Sequence, residues 1–143
     1  MITHSAEETK ALAAELAKSL KGGEVIALVG DLGAGKTTFA QGLVVALGST
    51  ARVKSPTFTV MNEYKIDPPT RSLNPAIARV VHVDFYRFSD ERELGALSLD
   101  DEKRPDTVIL AEWPNIFKKD VLTPDITVKF EYGEGDERKI EIS

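Results

Sequence analysis

The run Gly30-Asp31-Leu32-Gly33-Ala34-Gly35-Lys36-Thr37 constrains this chain more than any other stretch of it. Five consecutive apolar residues, Val25 to Val29, precede it, and an apolar helical pattern follows as far as about Leu47. Strand, glycine-rich turn and helix are signalled in that order, and the spacing G-x-x-x-x-G-K-T is that of a P-loop. Glycines let a tight turn fold around an anion with its backbone N–H groups pointing inward, while the helix that follows offers its positive end to the same charge. In such a loop Lys36 reaches the β- and γ-phosphates of a nucleotide, and the Thr37 hydroxyl holds Mg²⁺.

The 143 residues suit one hydrophobic core, so residues 1–143 are expected to form a single P-loop domain. No stretch approaches the roughly 18 to 20 apolar residues of a membrane span, and the N-terminus lacks the basic-then-apolar pattern of a secretory signal. The expectation is a cytoplasmic chain with no membrane contact. Cysteine is absent and His4 and His82 are the only imidazoles, so disulfides are excluded and any metal is expected to be oxygen-bound. A formal charge of −5 argues against a basic face that wraps nucleic acid, because neutralising phosphates takes clustered Lys and Arg. Direct RNA binding would need a partner.

Ser5 with Glu8 forms a capping box, and Leu12, Ala13, Leu16 and Leu20 carry the apolar stripe of a first helix over residues 6–20, stopped by Gly22-Gly23. The uninterrupted apolar run at 25–29 suits a strand covered on both faces, and Gly48 suits the residue just past the helix that starts at Lys36. Residues 57–64 read as a strand, as do 79–83 and 107–111, with a mostly helical polar segment at about 90–101. Residues 66–78, rich in Pro, Asn and Ser, read as an exposed loop. Pro114 suits the first position of a short helix, and residues 126–132 and 138–142 read as a hairpin across Gly133-Glu134-Gly135-Asp136. The expected fold class is α/β: a three-layer P-loop NTPase fold with a central, largely parallel sheet and a C-terminal β-hairpin.

Ligands of open α/β sheets sit beyond the carboxyl ends of the strands. Asp84 closes strand 79–83 and suits a carboxylate that holds Mg²⁺, directly or through water. Glu112 closes strand 107–111 and suits either the metal's shell or the orientation of an attacking water. Without the P-loop, both acids would read as solvated loop residues. Ser55-Pro56-Thr57 lies where nucleotide switches keep a hydroxyl that orders around the γ-phosphate, which makes Thr57 the candidate reader of nucleotide state; the plainer alternative is that Ser-Pro-Thr only starts a strand. His82 alternates with Asp84 on one strand face, but a lone strand histidine is more often a hydrogen-bonded packing residue, so it stays outside the catalytic set. Trp113 either covers the nucleotide site or marks a partner surface, although a Trp at a strand end more often packs on the core edge.

Four motifs occur in order: GDLGAGKTTF from Gly30, VKSPTFT from Val53, HVDFYR from His82 and EWP from Glu112. With the N-terminal helix and the C-terminal hairpin, this set resembles the TsaE (YjeE) family of bacterial ATPases, which work in forming the threonylcarbamoyladenosine (t6A) modification of tRNA. The resemblance implies a Mg²⁺-dependent ATPase, slow alone and stimulated by partners. Such a protein joins TsaD and TsaB, resets them through ATP binding and hydrolysis, meets tRNA only through that complex, and does not itself transfer the threonylcarbamoyl group. Carried over by position, Glu112, Asp84 and Lys36 form the catalytic set, and Thr37, Asp84 and Glu112 hold Mg²⁺. Asp31, Gly33, Ala34, Gly35, Lys36, Thr37 and Thr38 bind ATP, together with Thr57 in the switch segment and Trp113, which matches a residue important for activity. Arg138, ahead of Ile140 and Ile142, and Thr9 on the first helix complete the ATP-binding set, Arg138 near the base. The chain departs from the family pattern at Leu97-Ser98-Leu99, where a glycine is usual and Gly95 stands three positions earlier, and in the longer loop at Pro68-Pro69.

A small-molecule kinase would share the P-loop but would need an acceptor pocket and an arginine-bearing lid, and the arginines here are scattered along the chain. A GTP-dependent switch would commonly carry an Asn/Thr-Lys-x-Asp element, which is absent. Between a hydrolysing assembly factor and a nucleotide sensor without catalysis, the paired acids favour hydrolysis. The expected cycle is that ATP·Mg²⁺ orders the loop of Thr57, partner binding aligns Glu112 and a water with the γ-phosphate, and hydrolysis releases the switch.

Overall fold

The computed structural model describes residues 1–31, 33–49, 61–66, 76–84, 99–113 and 123–143, with Leu99, Asp100 and Trp113 described in their backbone only. Thr57 and its Ser-Pro-Thr segment, the Pro68-Pro69 loop, Gly95, Leu97-Ser98 and Pro114 lie outside the described residues.

Local chemistry accounts for the first half of the chain. After a two-residue strand β1 (Ile2–Thr3), the Ser5 hydroxyl accepts from the Glu8 N–H at 3.1 Å and opens helix α1 (Ala6–Ala17). Glu8 reaches back to the N–H of His4, one residue before the position a regular capping box would use. Strand β2 (Val25–Val29) is buried at every position. Helix α2 (Lys36–Leu47) starts from Gly35, whose φ of +109° lies in the left-handed region that side chains avoid, and closes on Gly48. The two helices approach so closely that a Cβ on Gly42 would lie 2.7 Å from Lys10 Cα.

The second half supplies strands β3 (Met61–Lys65), β4 (Arg79–Asp84), β5 (Thr107–Trp113), β6 (Ile126–Tyr132) and β7 (Arg138–Ile142), with a short helix α3 (Leu99–Glu102) before β5. Strand β5 runs two residues beyond the expected 107–111, because its ladder with β2 continues through Glu112 and Trp113 opposite Leu28 and Val29. Glu112 therefore stands within a strand rather than after one, and Asp84 is likewise the last residue of β4. The ends of the expected loop 66–78 are not exposed. Ile66 and Ile77 are buried, and the Ile66 N–H donates to Ala78 O at 2.9 Å, carrying the β3–β4 pairing one step further.

The strands form one seven-stranded sheet in the order β1-β7-β6-β2-β5-β4-β3. Strands β6, β2, β5 and β4 run parallel, while β7 and β1 on one side and β3 on the other are antiparallel to their neighbours. This is a P-loop NTPase fold, with the loop leaving the carboxyl end of a central strand. Alternation along the strands sends Ile26, Leu28, Val80, Leu110, Val128 and Phe130 to the face that carries Ala13 and Ala17 of α1 and Phe39, Leu43 and Leu47 of α2. Val25, Ala27, Val81, Val83, Ile109 and Ala111 on the opposite face are buried as well, as strands of a parallel sheet require. At the amino end of β4, Arg79 ties three elements together through Glu63, Glu102 and Thr107. Burial lowers its pKa, but the bonds to Glu102 and Glu63 outweigh that loss and hold it above its ordinary value. No helix among the described residues is long and apolar enough to cross a membrane, which says nothing of a β-barrel.

Candidate functional site

Parallel register brings the carboxyl ends of β2, β5 and β4 to one edge, where Leu28, Glu112 and Asp84 form a single cross-strand row. That row points to the face covered by α2, so the first turn of α2 sits over the two acids. No side chain caps this turn, and its first N–H groups have no acceptor within the helix. Lys36 is 4% exposed and donates from Nζ to Gly30 O at 2.5 Å. Burial pulls its pKa below the ordinary lysine value, and the charges of Glu112, Asp84 and Asp31 offset that only in part.

Glu112 and Asp84 are both buried, an unusual state for carboxylates and one that demands partners. One oxygen of Glu112, Oε1, accepts from Thr37 Oγ1 at 3.5 Å, the long limit of a hydrogen bond. The other, Oε2, meets Nε2 of His82 at 2.6 Å in an environment closed to solvent. His82 Nδ1 has no hydrogen-bond partner among the described residues. The tautomer follows from that asymmetry: Nε2–H donates to the carboxylate and Nδ1 keeps its lone pair, because a buried N–H without an acceptor is the costlier arrangement. The contact with Glu112 was not foreseeable from a lone strand histidine. Its one sequence signal, alternation with Asp84, gives the face but not the neighbour.

A cavity of about 330 Å³ opens on the other side of the loop, lined by His4, Ser5, Ala6 and Thr9 at the start of α1, Gly33, Gly35 and Thr38, and Asp136 and Arg138 of the hairpin. The Arg138 guanidinium stacks 4.9 Å from the centre of the Tyr132 ring and donates to Glu137 O at 2.8 Å, with Gly33 O at 3.5 Å. Tyr132 presses on the loop, since a Cβ on Gly33 would lie 2.9 Å from its hydroxyl. Thr9 lines this cavity, yet its hydroxyl is shared with Thr3 at 2.8 Å.

Of the residues singled out from sequence, Lys36, Thr37, Asp84 and Glu112 thus converge beneath the first turn of α2, and Thr9, Gly33, Gly35, Thr38 and Arg138 converge on the cavity. Ala34 is buried in the loop with its N–H donating to Asp31 O at 3.1 Å, and Asp31 itself is exposed. The Trp113 backbone lies at the end of β5, opposite Val29. Sequence reasoning set His82 aside as a hydrogen-bonded packing residue and did not select Tyr132, Asp136, His4 or Ser5 for the site.

No three His, Cys, Asp or Glu side chains converge as a metal cage among the described residues. A hydroxyl and two carboxylates do converge, all oxygen donors, the partial set that Mg²⁺ completes with phosphate and water.

The family profile "Threonylcarbamoyl adenosine biosynthesis protein TsaE" matches residues 3–140. Similar curated proteins include the tRNA threonylcarbamoyladenosine biosynthesis protein TsaE of Bacillus subtilis, 38% identical over 96% of this chain and 80% of that protein. Those of the same name from Aquifex aeolicus and Haemophilus influenzae are 46% identical over 63% of this chain and 62% of that protein, and 36% identical over 82% and 68%, respectively. Among solved structures, the crystal structure of Bacillus subtilis YdiB superposes with a TM-score of 0.75 at 33% identity, covering 98% of this chain and 80% of that one. With a profile that spans almost every described element and relatives that are 36% to 46% identical to it over the aligned residues, the chain belongs to the TsaE family.

Proposed function

We propose that this chain is a cytoplasmic, Mg²⁺-dependent ATPase that serves tRNA threonylcarbamoyladenosine biosynthesis, working with TsaD and TsaB by ATP binding and hydrolysis and meeting tRNA through them. The observation that carries the reading is the meeting of Lys36, Thr37, Asp84 and Glu112 at the carboxyl ends of β2, β4 and β5, where the P-loop begins. The names of the relatives support the pathway.

The loop N–H groups and the start of α2 receive the phosphates, with Asp31, Gly33, Ala34, Gly35, Lys36, Thr37 and Thr38 around them. An incoming anion favours the charged form of a buried ammonium, and burial holds the pKa of Lys36 below its ordinary value. Thr37, Asp84 and Glu112 would hold Mg²⁺, which when bound would supply charge neutralisation at the phosphates. Glu112 orients the attacking water with the oxygen that His82 leaves available. Arg138 and Thr9 take the nucleoside in the cavity between α1 and the hairpin, Thr57 reads the nucleotide state, and Trp113 borders the site.

The test is ATP hydrolysis by the purified chain, alone and with TsaD and TsaB of the same species. Activity is expected to be low alone, to rise with the partners and to vanish in Lys36→Ala. Glu112→Ala is expected to keep nucleotide binding and lose turnover by at least about 100-fold. Hydrolysis that stays flat with partners that demonstrably bind would sink the partner-stimulated reading, and transfer of the phosphoryl group to an acceptor other than water would replace it with a kinase.

A further inference from the structure

We infer that His82 is a positioning residue for hydrolysis: its Nε2–H holds one oxygen of Glu112 so that the other faces the Thr37 end of the site and the carboxylate stays off Lys36. This rests on the reading of Glu112 as the group that orients the attacking water. Three observations lead to it.

The contact is short and sealed. Nε2 and Oε2 lie 2.6 Å apart, and the two side chains are 0% and 4% exposed. The torsion that turns a carboxylate about its own axis is soft, so a glutamate without a fixed partner samples many orientations. Here β4 and β5 fix both backbones, with His82 opposite Leu110 and Asp84 opposite Glu112, so the ring sits one row below the acids and approaches Glu112 from beneath. With Oε2 engaged from below, Oε1 is left to the side of Thr37.

The imidazole has little else to do. Its Nδ1 is buried with no partner among the described residues, so a ring kept for packing alone would carry a desolvation cost that an apolar side chain would avoid. Its bond to Glu112 is what offsets that cost.

The alternative partner for Glu112 is close at hand. Of the three carboxylates whose charge acts on Lys36, Glu112 acts most strongly. Remove the His82 donor, and the freed oxygen of Glu112 becomes a buried acceptor without a bond, which a turn toward the Lys36 ammonium would satisfy. Such a turn withdraws the carboxylate from the water. His82 therefore keeps the carboxylate from turning toward the Lys36 ammonium.

Single-turnover hydrolysis of γ-labelled ATP by the full chain, with titration of a fluorescent ATP analogue and a thermal melt on each variant, tests the inference. His82→Leu is expected to lose turnover by about 10-fold or more while half-saturating ATP changes little. In His82→Gln the amide nitrogen takes the place of Nε2, and most of the rate is expected to return. His82→Phe, which fills the ring's space without an N–H, carries the comparison if His82→Leu does not fold, and is expected to behave as His82→Leu does. Wild-type turnover in either apolar variant, beside an inactive Glu112→Ala, overturns the positioning role and leaves the reading of Glu112 intact. Equal losses in His82→Leu and His82→Gln, with binding and melting unchanged, overturn it as well. Wild-type turnover in Glu112→Ala removes both.

Discussion

Lys36 is where folding and ligand capture oppose each other. Desolvation outweighs the attraction of its neighbouring carboxylates, so the folded chain holds this proton less tightly than the unfolded chain. Between the two pKa values the unfolded state binds more protons, and stability rises as pH climbs from the folded value toward the ordinary lysine value. Lys36→Met is therefore expected to melt at or above the wild-type temperature near neutral pH, with the gap closing as pH approaches about 10. Mg·ATP is expected to raise the wild-type melting temperature and leave that of the variant unchanged, which calorimetric scans with and without nucleotide check. Lys36 is legible from eight consecutive residues because a P-loop is a local structure. His82 is not, because its partner stands 30 residues away and meets it only through the pairing of β4 with β5.

Among the elements, α1 is held to α2 by an absence. Helix propensity favours Ala over Gly in mid-helix by about 1 kcal/mol, yet a Cβ on Gly42 would lie 2.7 Å from Lys10 Cα and 2.8 Å from Lys10 O. Those neighbours are backbone and cannot rotate away, so α1 must shift as a body. Gly42→Ala is expected to cost roughly 1 to 2 kcal/mol net in urea unfolding. Since Ser5, Ala6 and Thr9 of that helix region line the cavity, the same variant is expected to bind nucleotide less tightly. Greater stability with unchanged affinity would show that the helices do not press on each other there. The elements whose signals are local, β2, α2 and the β6–β7 hairpin, are legible to within a residue or two. Strand β1 is not, because two residues carry no pattern and exist as a strand only through pairing with β7. Likewise the true end of β5, on which the placement of Glu112 depends, is written in β2.

At the scale of the molecule, a formal charge of −5 sets what the chain can do unaided. Phosphate contacts release counterions only where Lys and Arg cluster, so the purified chain is expected to bind tRNA more weakly than about 100 µM at physiological salt, as filter binding or mobility shift would report. Tight binding by the bare chain would contradict the view that partners supply the RNA surface. The topology that makes one site from distant segments has a further consequence. Strand β2, which launches the phosphate loop, is flanked by β5 and β6, and the Val25 N–H is bound by Asp125, 100 residues downstream. On a translating ribosome the loop emerges long before either strand that braces it has been made, and such long-range pairing forms late. A nascent chain thus carries the loop before anything braces it, and a chain terminated ahead of the hairpin is expected to bind no nucleotide rather than to bind it weakly.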